Sequence, residues 1–189
     1  MMFEEDIKNS LISLKKGGVI LYPTDTVWGL GCDATNPAAV EKIYKIKSRS
    51  GTKSLIILVD GESMLERYVR EVPEINYELT SVSDTPLTII YPAGKNLAEG
   101  VCAEDGSVAI RICHDEFCNQ LITRFRKPIV STSANFSGQQ SPRTFLDIDK
   151  SVIAAVDYVV KYRQDDTDKN SASPIIKIGQ DGTIKIIRK

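Results

Sequence analysis

Short apolar runs that alternate with helix-like stretches constrain the fold of this chain more than any other feature of its sequence. The runs are rich in Val, Ile and Leu and are bounded by Gly, Pro or polar residues, as buried β-strands are. They cover residues 19–22, 55–59, 87–91, 108–112, 129–130 and 158–162, and a hairpin turned at Asp181-Gly182 is predicted at 175–188. The alternation predicts an α/β fold with a mixed sheet, and 189 residues suit one domain, 1–189.

Helices are predicted where apolar residues recur every three or four positions. The first covers residues 3–16 and ends at Gly17-Gly18, and the second begins at Asn36-Pro37 and runs to about Ile46. A weaker periodicity extends over 62–82. Two further helices are predicted from a face formed by Phe117, Leu121, Ile122 and Phe125 and from residues 144–155.

The charge balance argues against one broad class of function. With 24 basic and 25 acidic residues the net charge is -1, so the chain is not expected to hold nucleic acid mainly by neutralising phosphates, although a local basic groove stays open. No apolar run approaches the roughly 20 residues of a membrane helix, and the first residues contain no signal-like apolar core. We therefore expect a cytoplasmic protein that does not contact membranes.

The cysteines and the histidine offer little for chemistry. Cys32, Cys102, Cys113 and Cys118 form no C-x-x-C pair, so the spacing indicates neither a zinc site nor a disulfide framework, and reduced structural thiols are expected. The single histidine, His114, follows a predicted strand. Without a second histidine a metal site or a His-based triad is poorly supported, and His114 is interpreted as a surface residue.

Three cations lie together at the end of the second predicted helix. Lys47, Arg49 and Lys53 fall within seven residues, and Arg and Lys on a loop offer charge-assisted donors to phosphate or carboxylate groups. Charge runs are more often solvated surfaces. Here, however, Lys47 continues the apolar stripe of Val40 and Ile43, so it must either reach solvent or line a cavity that supplies an anionic partner.

Two polar loops follow short predicted strands. Residues 23–31 and 131–138 are rich in Ser, Thr, Asn and Gly, and in open α/β sheets such loops place hydroxyl and N–H groups where ligands bind. The same residues also form ordinary turns. Together with the three cations and Arg111, which is embedded in a predicted strand, the loops predict a pocket for an anionic ligand. Asp25, the only acid in the loops, is expected to cap a neighbouring backbone N–H.

Three motifs, in their order and spacing, carry a resemblance to a known family. They are Pro-Thr-Asp-Thr-Val-Trp-Gly-Leu-Gly at 23–31, Lys-Ser-Arg at 47–49 and Ser-Thr-Ser-Ala-Asn-Phe-Ser-Gly at 131–138. This combination resembles the YrdC-like family of threonylcarbamoyl-AMP synthases. The resemblance covers nearly the whole chain, in the short form that lacks the extra C-terminal domain of longer members. The family hallmark, K-x-R followed by S-x-N, is matched by Lys47, Arg49, Ser133 and Asn135, which the resemblance implies are catalytic.

The resemblance implies both a fold and a reaction. The fold is a twisted mixed sheet flanked by helices, with a large concave pocket. The reaction converts L-threonine, bicarbonate and ATP into threonylcarbamoyl-AMP and pyrophosphate with Mg2+, and separate proteins then transfer the threonylcarbamoyl group to an adenosine beside the anticodon of certain tRNAs. Fixed cations and donors can stabilise the charge that builds on the leaving pyrophosphate without a covalent nucleophile.

The resemblance also implies roles for individual residues. Lys47 is expected at the reacting centre, and Arg111 is a natural partner for the carboxylate of the amino acid. Positions that bind ATP in the family are matched by Arg49, Lys53, Ser107, Asn135, Ser141 and Arg188. Positions that bind threonine are matched by Thr26, Arg111, Ser133 and Ser173. No metal ligand is implied.

The sequence departs from the family pattern at four places. Ser50 and Cys113 stand where prolines are usual, and Leu58 stands where some members have a histidine. The late S-T-x-x-D pattern is Ser173-Pro174-Ile175-Ile176-Lys177 here. Because Pro174 and Lys177 replace a hydroxyl and a carboxylate, we expect them to alter one wall of the pocket and to loosen discrimination between threonine and serine.

Two alternative functions are compatible with the sequence. The same concave basic pocket could serve an RNA-binding module with weak tRNA or RNA contact. The sequence supports this alternative only weakly, because the net charge is -1 and aromatic and basic residues are not interleaved. Salt-sensitive RNA binding without ATP turnover would favour this alternative. The chain could also be an adenylating relative that acts on another carbamate, and substrate profiling would separate it from a threonine enzyme.

Overall fold

The computed structural model describes residues 3–48, 55–81, 85–167 and 171–189. Its helices are α1 (Glu4–Lys15), α2 (Pro37–Ile46), α3 (Glu62–Tyr68), α4 (Ile75–Ser81), α5 (Glu116–Phe125) and α6 (Lys150–Ala154), with a 3-10 turn at Phe145–Asp147. Its strands are β1 (Ile20–Tyr22), β2 (Gly29–Gly31), β3 (Ile56–Val59), β4 (Thr88–Tyr91), β5 (Val108–Ile112), β6 (Ile129–Ser133), β7 (Tyr158–Val159), β8 (Ile175–Ile178) and β9 (Ile184–Arg188).

Over the described residues the strands form one mixed sheet in the order β7-β1-β2-β6-β3-β5-β4-β8-β9. Parallel pairs join β1 to β7, β3 to β5 and β4 to β8, and the other neighbours are antiparallel. Arg111 on β5 lies opposite Leu58 on β3, and Ser131 on β6 lies opposite Ile56 on β3. The sheet order thus brings strands from distant parts of the chain to the centre of the fold.

Helices α1 and α5 pack against each other and help to cover the sheet. The apolar face predicted for α5 is buried, and Phe3 packs edge-on against Phe117 with ring centroids 5.6 Å apart. The Asp6 carboxylate accepts hydrogen bonds from the hydroxyl of Tyr158 and the backbone N–H groups of Lys161 and Tyr162, which ties α1 to the β7 edge. The predicted start of α2 is confirmed, since Asn36 Oδ1 accepts the N–H groups of its first turn.

Residues 29–31 form a strand although the sequence predicts a loop there. Strand β2 lies between β1 and β6, and Gly31 is packed too closely for a side chain, since an added Cβ would lie 2.6 Å from Tyr22 Cε1 and 3.0 Å from Ile129 Cγ2. Glycine weakens a strand and is favoured where two backbones approach closely. The glycines at 29 and 31 therefore indicate a turn in the sequence, whereas close packing in the folded protein places these residues in a strand.

Other predicted elements are present but differently divided. The stretch predicted over 62–82 forms two helices, α3 and α4, and the stretch at 144–155 is a 3-10 turn followed by the short helix α6, which Asp149 caps. Strand β6 extends to Ser133, three residues beyond its apolar run, and β7 is only two residues long. The terminal hairpin is confirmed, with Gly182 at a φ of 78° in its turn.

Within the described ranges, no helix is both long enough and apolar enough to cross a membrane. His114 is exposed, as expected for a surface residue. The four cysteines are free, and three of them, Cys32, Cys113 and Cys118, are buried.

We predict that Gly31→Ala lowers the free energy of unfolding by about 1–3 kcal/mol, the usual cost of overpacking a core. The side chain nearest to the new methyl group is fixed, because Tyr22 is buried and its hydroxyl donates a 3.2 Å hydrogen bond to the carbonyl of Val130. Urea unfolding measures the change. Gly61→Ala is the control, since no atom lies within 4 Å of its added Cβ, and equal effects of the two substitutions would contradict the prediction.

Candidate functional site

A cavity of about 190 Å³ is lined in part by residues of strands β2, β3, β5, β6 and β9. Its wall combines side chains from the loop before β2, from strands β5 and β6, and from the segments at both ends of the β8–β9 hairpin. The lining residues are Thr26, Val27, Gly29, Leu55, Ile56, Arg111, Ser131, Thr132, Ser133, Ser141, Ala172, Ser173 and Arg188. Among these described lining residues most polar groups are hydroxyls and the two charged side chains are arginines, so the cavity suits an anionic ligand with hydrogen-bonding groups.

Arg111 projects from the central strand β5 and is 3% exposed. Its Nη1 lies 3.3 Å from Ser173 Oγ and its Nη2 lies 3.3 Å from Thr26 Oγ1, so the guanidinium donates to hydroxyls from two loops. The same Nη2 lies 2.9 Å from Asp25 Oδ1 in an ion pair whose side chains are only 4% and 11% exposed. The Nε of Arg111 is buried and has no hydrogen-bond partner among the described residues.

Asp25 has a different partner from the one predicted for it. It was expected to cap a backbone N–H, but its carboxylate faces Arg111 across the buried ion pair. Burial raises the pKa of Asp25, and the positive charge of Arg111 opposes that rise. The two residues are 86 positions apart in the chain, so no local pattern in the sequence could have revealed the contact.

The loop that carries Thr26 is fixed by hydroxyl and guanidinium contacts. Thr24 Oγ1 accepts the N–H of Thr26, lies 3.0 Å from Thr26 Oγ1 and donates to the carbonyl of Val27 at 2.8 Å. Arg163 donates to the carbonyl of Thr24 and pairs with Asp115, the residue that caps α5. These contacts hold the loop against the sheet while Thr26 faces the cavity.

Ser173 connects the two arginines of the cavity. Its hydroxyl lies 2.7 Å from that of Thr88 on β4 and accepts from Arg111, while its carbonyl accepts from Nε and Nη2 of Arg188 at 2.9 and 2.6 Å. Burial and the neighbouring charge of Arg111 lower the pKa of Arg188. The two guanidinium groups therefore repel each other, and an anion in the cavity would relieve that repulsion.

Lys47 lies beside the cavity rather than in its lining. The side chain is 3% exposed, and its Nζ donates to the carbonyls of Ser133 and Asn135 at 2.6 and 2.8 Å. The lysine predicted to point inward thus contacts both downstream hallmark residues. Asn135 in turn donates through Nδ2 to the carbonyls of Phe136 and Gln139, and its buried Oδ1 has no hydrogen-bond partner among the described residues.

Ser107 is buried, but it is not among the described residues that line the cavity. Its hydroxyl donates to Asp105 Oδ1 at 2.5 Å, and Lys177 Nζ lies 3.1 Å from the other oxygen of that carboxylate. Hydrogen bonds from Ser107, together with Lys177, lower the pKa of Asp105 to about 2. Lys177 therefore contacts Asp105, and neither it nor Pro174 is among the described residues that line the cavity.

The structure brings most of the predicted site residues together. Six line one cavity: Thr26, Arg111, Ser133, Ser141, Ser173 and Arg188. Lys47 and Asn135 adjoin it through Ser133, whereas Ser107 does not line it. Arg49 and Lys53, both predicted to bind ATP, lie outside the described residues. Thr88 and Ser131 were not predicted individually as site residues, since an isolated hydroxyl carries no signal until its partner is known.

Among the described residues, no group of three or more His, Cys, Asp or Glu side chains could hold a metal ion. The described lining of the cavity contains no carboxylate. The donor set that hard divalent cations prefer is therefore not provided by these residues.

Comparisons with known proteins agree with this arrangement. A model of the Sua5/YciO/YrdC family, described as "Telomere recombination", matches residues 13–189. The chain therefore belongs to the Sua5/YciO/YrdC family, which confirms the resemblance noted in the motifs.

Curated relatives share about a third of their residues with this chain. A protein from Blochmanniella pennsylvanica named threonylcarbamoyl-AMP synthase is 38% identical over 146 residues, which cover 76% of this chain and 75% of that protein. A protein of the same name from Psychromonas ingrahamii is 35% identical over 153 residues, with 79% and 80% covered.

Solved structures share the fold. The P. abyssi Sua5 complexed with L-threonine superposes with a TM-score of 0.85 at 25% identity, covering 98% of this chain, which spans 54% of that protein. The E. coli YciO structure superposes with a TM-score of 0.83 at 21% identity, covering 98% of this chain and 89% of YciO. The predicted fold, a mixed parallel and antiparallel sheet flanked by helices, is confirmed.

We predict that Lys47→Met lowers the free energy of unfolding by about 1–3 kcal/mol, because it removes the ammonium donor from two carbonyl oxygens while keeping a long apolar side chain. The carbonyl of Ser133 keeps the N–H of Asn135 at 2.9 Å, so the loss falls mainly on the carbonyl of Asn135. Lys45→Met is the matched control on the same helix. Lys45 is exposed and pairs with Glu41 at 2.8 Å, a contact worth only about 0.3–0.5 kcal/mol. Urea unfolding compares the two variants, and similar losses would show that the buried contacts of Lys47 add nothing.

Proposed function

We propose that this chain is a threonylcarbamoyl-AMP synthase, a nucleotidyltransferase that acts on L-threonine, bicarbonate and ATP. The observation that carries the proposal is the cavity in which Arg111 and Arg188 are joined through Ser173 and flanked by the hydroxyls of Thr26 and Ser133. Its charge and its hydroxyls suit an amino acid beside a polyphosphate. Relatives at 35–38% identity carry the name of this activity.

The reaction has two steps that the cavity can serve. The amine of threonine and bicarbonate give a carbamate and water. A carbamate oxygen then attacks the α-phosphorus of ATP, and pyrophosphate leaves as the new P–O bond forms. Negative charge grows on the leaving group, so fixed donors and cations lower the barrier without a covalent nucleophile.

We assign the amino-acid end of the cavity to Thr26, Arg111, Ser133 and Ser173. The Arg111 guanidinium would bind the carboxylate of threonine, since a planar fork of N–H donors matches a carboxylate and is stronger than a neutral contact. The surrounding hydroxyls can donate to or accept from the substrate. Arg111 and Ser133 lie on strands β5 and β6, and the hydroxyls of Thr26 and Ser173 are held by contacts with Thr24 and Thr88.

We assign the nucleotide end to Ser141 and Arg188 in the cavity, with Asn135, Ser107, Arg49 and Lys53 as further ATP-binding residues and Lys47 at the reacting centre. Asn135 supports its assignment through a buried Oδ1 that has no partner among the described residues. Ser107 has weaker support, since its hydroxyl donates to Asp105. To bind substrate, the Lys47 ammonium would have to break one of its hydrogen bonds to the carbonyls of Ser133 and Asn135. Otherwise it would act indirectly, by holding Ser133 and Asn135 in position.

We propose that Mg2+ enters with ATP as part of the substrate. It would neutralise phosphate charge and orient the pyrophosphate as a leaving group. The described cavity lining holds no carboxylate for it, so the phosphate oxygens and water would supply its ligands. The product is a reactive mixed anhydride, and we place its use in the cytoplasm, where separate proteins transfer the threonylcarbamoyl group to tRNA.

Mass spectrometry of a reaction containing ATP, Mg2+, L-threonine and bicarbonate tests the proposal. We expect threonylcarbamoyl-AMP and pyrophosphate, and we expect both to vanish when threonine or bicarbonate is omitted. Product from another amine alone would favour the adenylating relative. Salt-sensitive RNA binding with no ATP turnover would favour the RNA-binding module. If no ATP is consumed under any of these conditions, the proposal that the chain is an enzyme is refuted.

We predict that Arg49→Ala slows adenylation by about 10²–10³-fold, the usual loss when one pre-organised donor to a developing charge is removed. The melting temperature should not change, because the neighbours Ser48 and Ser50 are polar and the side chain is expected to serve the ligand. Arg49→Lys should recover part of the rate, since a point charge cannot reproduce the fork. Thermal unfolding and pyrophosphate release are measured on the same preparation.

Arg70→Ala is the control for this prediction, because it removes the same charge from an exposed position. It should leave both the rate and the melting temperature near the wild-type values. Near-normal turnover in Arg49→Ala would remove that residue from the proposed site.

A further inference from the structure

Among the residues that the structure describes, the Asp25–Arg111 pair is the one buried ion pair at the cavity, and the proposed roles above do not use Asp25. Asp25 itself is not among the described residues that line the cavity. Its partner is the guanidinium assigned to the substrate carboxylate. We propose that Asp25 is a positioning residue for threonine: it holds the Arg111 guanidinium in a single orientation and thereby sets the affinity for the amino-acid carboxylate.

The contacts of Arg111 support this role. A guanidinium has five N–H donors, and its contacts with Asp25, Thr26 and Ser173 involve only Nη1 and Nη2. The hydroxyl contacts are long, 3.3 Å each, whereas the carboxylate lies at 2.9 Å and carries a charge. The Asp25 contact is an ion pair rather than an aligned hydrogen bond, since Asp25 Oδ1 has no hydrogen-bond partner among the described residues. It supplies the negative charge that pairs with the guanidinium, and the buried Nε–H takes part in none of these contacts.

The burial of the pair makes the anchor effective. Both side chains are almost removed from water, and a charge contact weakens little with salt in such surroundings. Within the described residues Asp25 is the only carboxylate that pairs with Arg111. Without it the guanidinium would be free to rotate toward either hydroxyl, and the donors would no longer be held in the geometry that a carboxylate requires.

Steady-state kinetics of Asp25→Asn test the inference, which rests on the proposed function. We expect the KM for threonine to rise by about 10–100-fold, the loss that follows from misplacing a binding group. The KM for ATP should stay within about twofold, because Asp25 does not contact the groups assigned to ATP. An unchanged or lower KM for threonine would overturn the proposal.

Asp33→Asn is the matched control. Asp33 is also a buried, ion-paired aspartate, 2.7 Å from Lys127 Nζ, and it is not among the described residues that line the cavity. Its substitution should lower the melting temperature and leave the KM for threonine unchanged. A rise in that KM for both variants, in proportion to their loss of stability, would mean that Asp25 is only structural.

Asp25→Glu is a second variant that keeps the test decisive if Asp25→Asn does not fold. It keeps the negative charge beside the buried arginine and moves the carboxylate by one methylene group. We expect it to melt near the wild-type temperature and still to raise the KM for threonine. Wild-type values for both quantities would overturn the proposal.

Nuclear magnetic resonance of the arginine side chains separates failure of this inference from failure of the proposed function. The Nη groups of Arg111, assigned by their loss in Arg111→Lys, should rotate slowly in the wild type and quickly in Asp25→Asn. If the wild type makes no threonylcarbamoyl-AMP, the proposed synthase activity is refuted. The rotation rate of the Arg111 Nη groups still decides whether Asp25 positions that guanidinium. Equal rotation rates in the two proteins would refute the positioning role.

Discussion

The buried guanidinium of Arg111 is the constraint on which the surroundings of the cavity depend. An unpaired charge in the interior is strongly unfavourable, so the fold must bring acceptors to it. They arrive from separate segments: Asp25 and Thr26 from the loop before β2, and Ser173 from the segment before β8. Each is held in turn by a further contact, such as Thr24 for Thr26 and Thr88 for Ser173. The polar network is thus a structural requirement of placing an arginine on a central strand.

The same network gives the cavity its selectivity for charge. Arg188 is tied to the carbonyl of Ser173, and burial together with the positive charge of Arg111 lowers the pKa of Arg188. The carboxylate of Asp25 pairs with the positive charge of Arg111, and Asp25 is not among the described residues that line the cavity. The face that a ligand meets is left positive and rich in hydroxyls. Such a wall favours anions by electrostatics before any contact is optimised.

The sequence predicted those features that local patterns encode. The capped start of α2, the buried face of α5 and the turn of the β8–β9 hairpin follow from spacing and turn chemistry within a few residues. Strand β2 was missed because glycine lowers strand propensity, and only the closeness of Tyr22 and Ile129 explains why Gly31 is needed. Asp25 was misassigned because its partner is remote in the chain. The binding roles of the six lining residues came from the family resemblance, as did that of Ser107, which is not among the described residues that line the cavity.

The attachment of the β8–β9 hairpin has a consequence for dynamics. Strand β9 is the edge of the sheet and is exposed along its length, so the hairpin is held by the pairing of β8 with β4 and by the Ser173 contacts. Regions with few buried contacts open more readily than the core. A ligand that touched Arg111 and Arg188 together would bridge the sheet and the hairpin. Occupancy of the cavity and closure of the hairpin would then be thermodynamically linked, and amide hydrogen exchange over 175–188 would slow as the cavity filled.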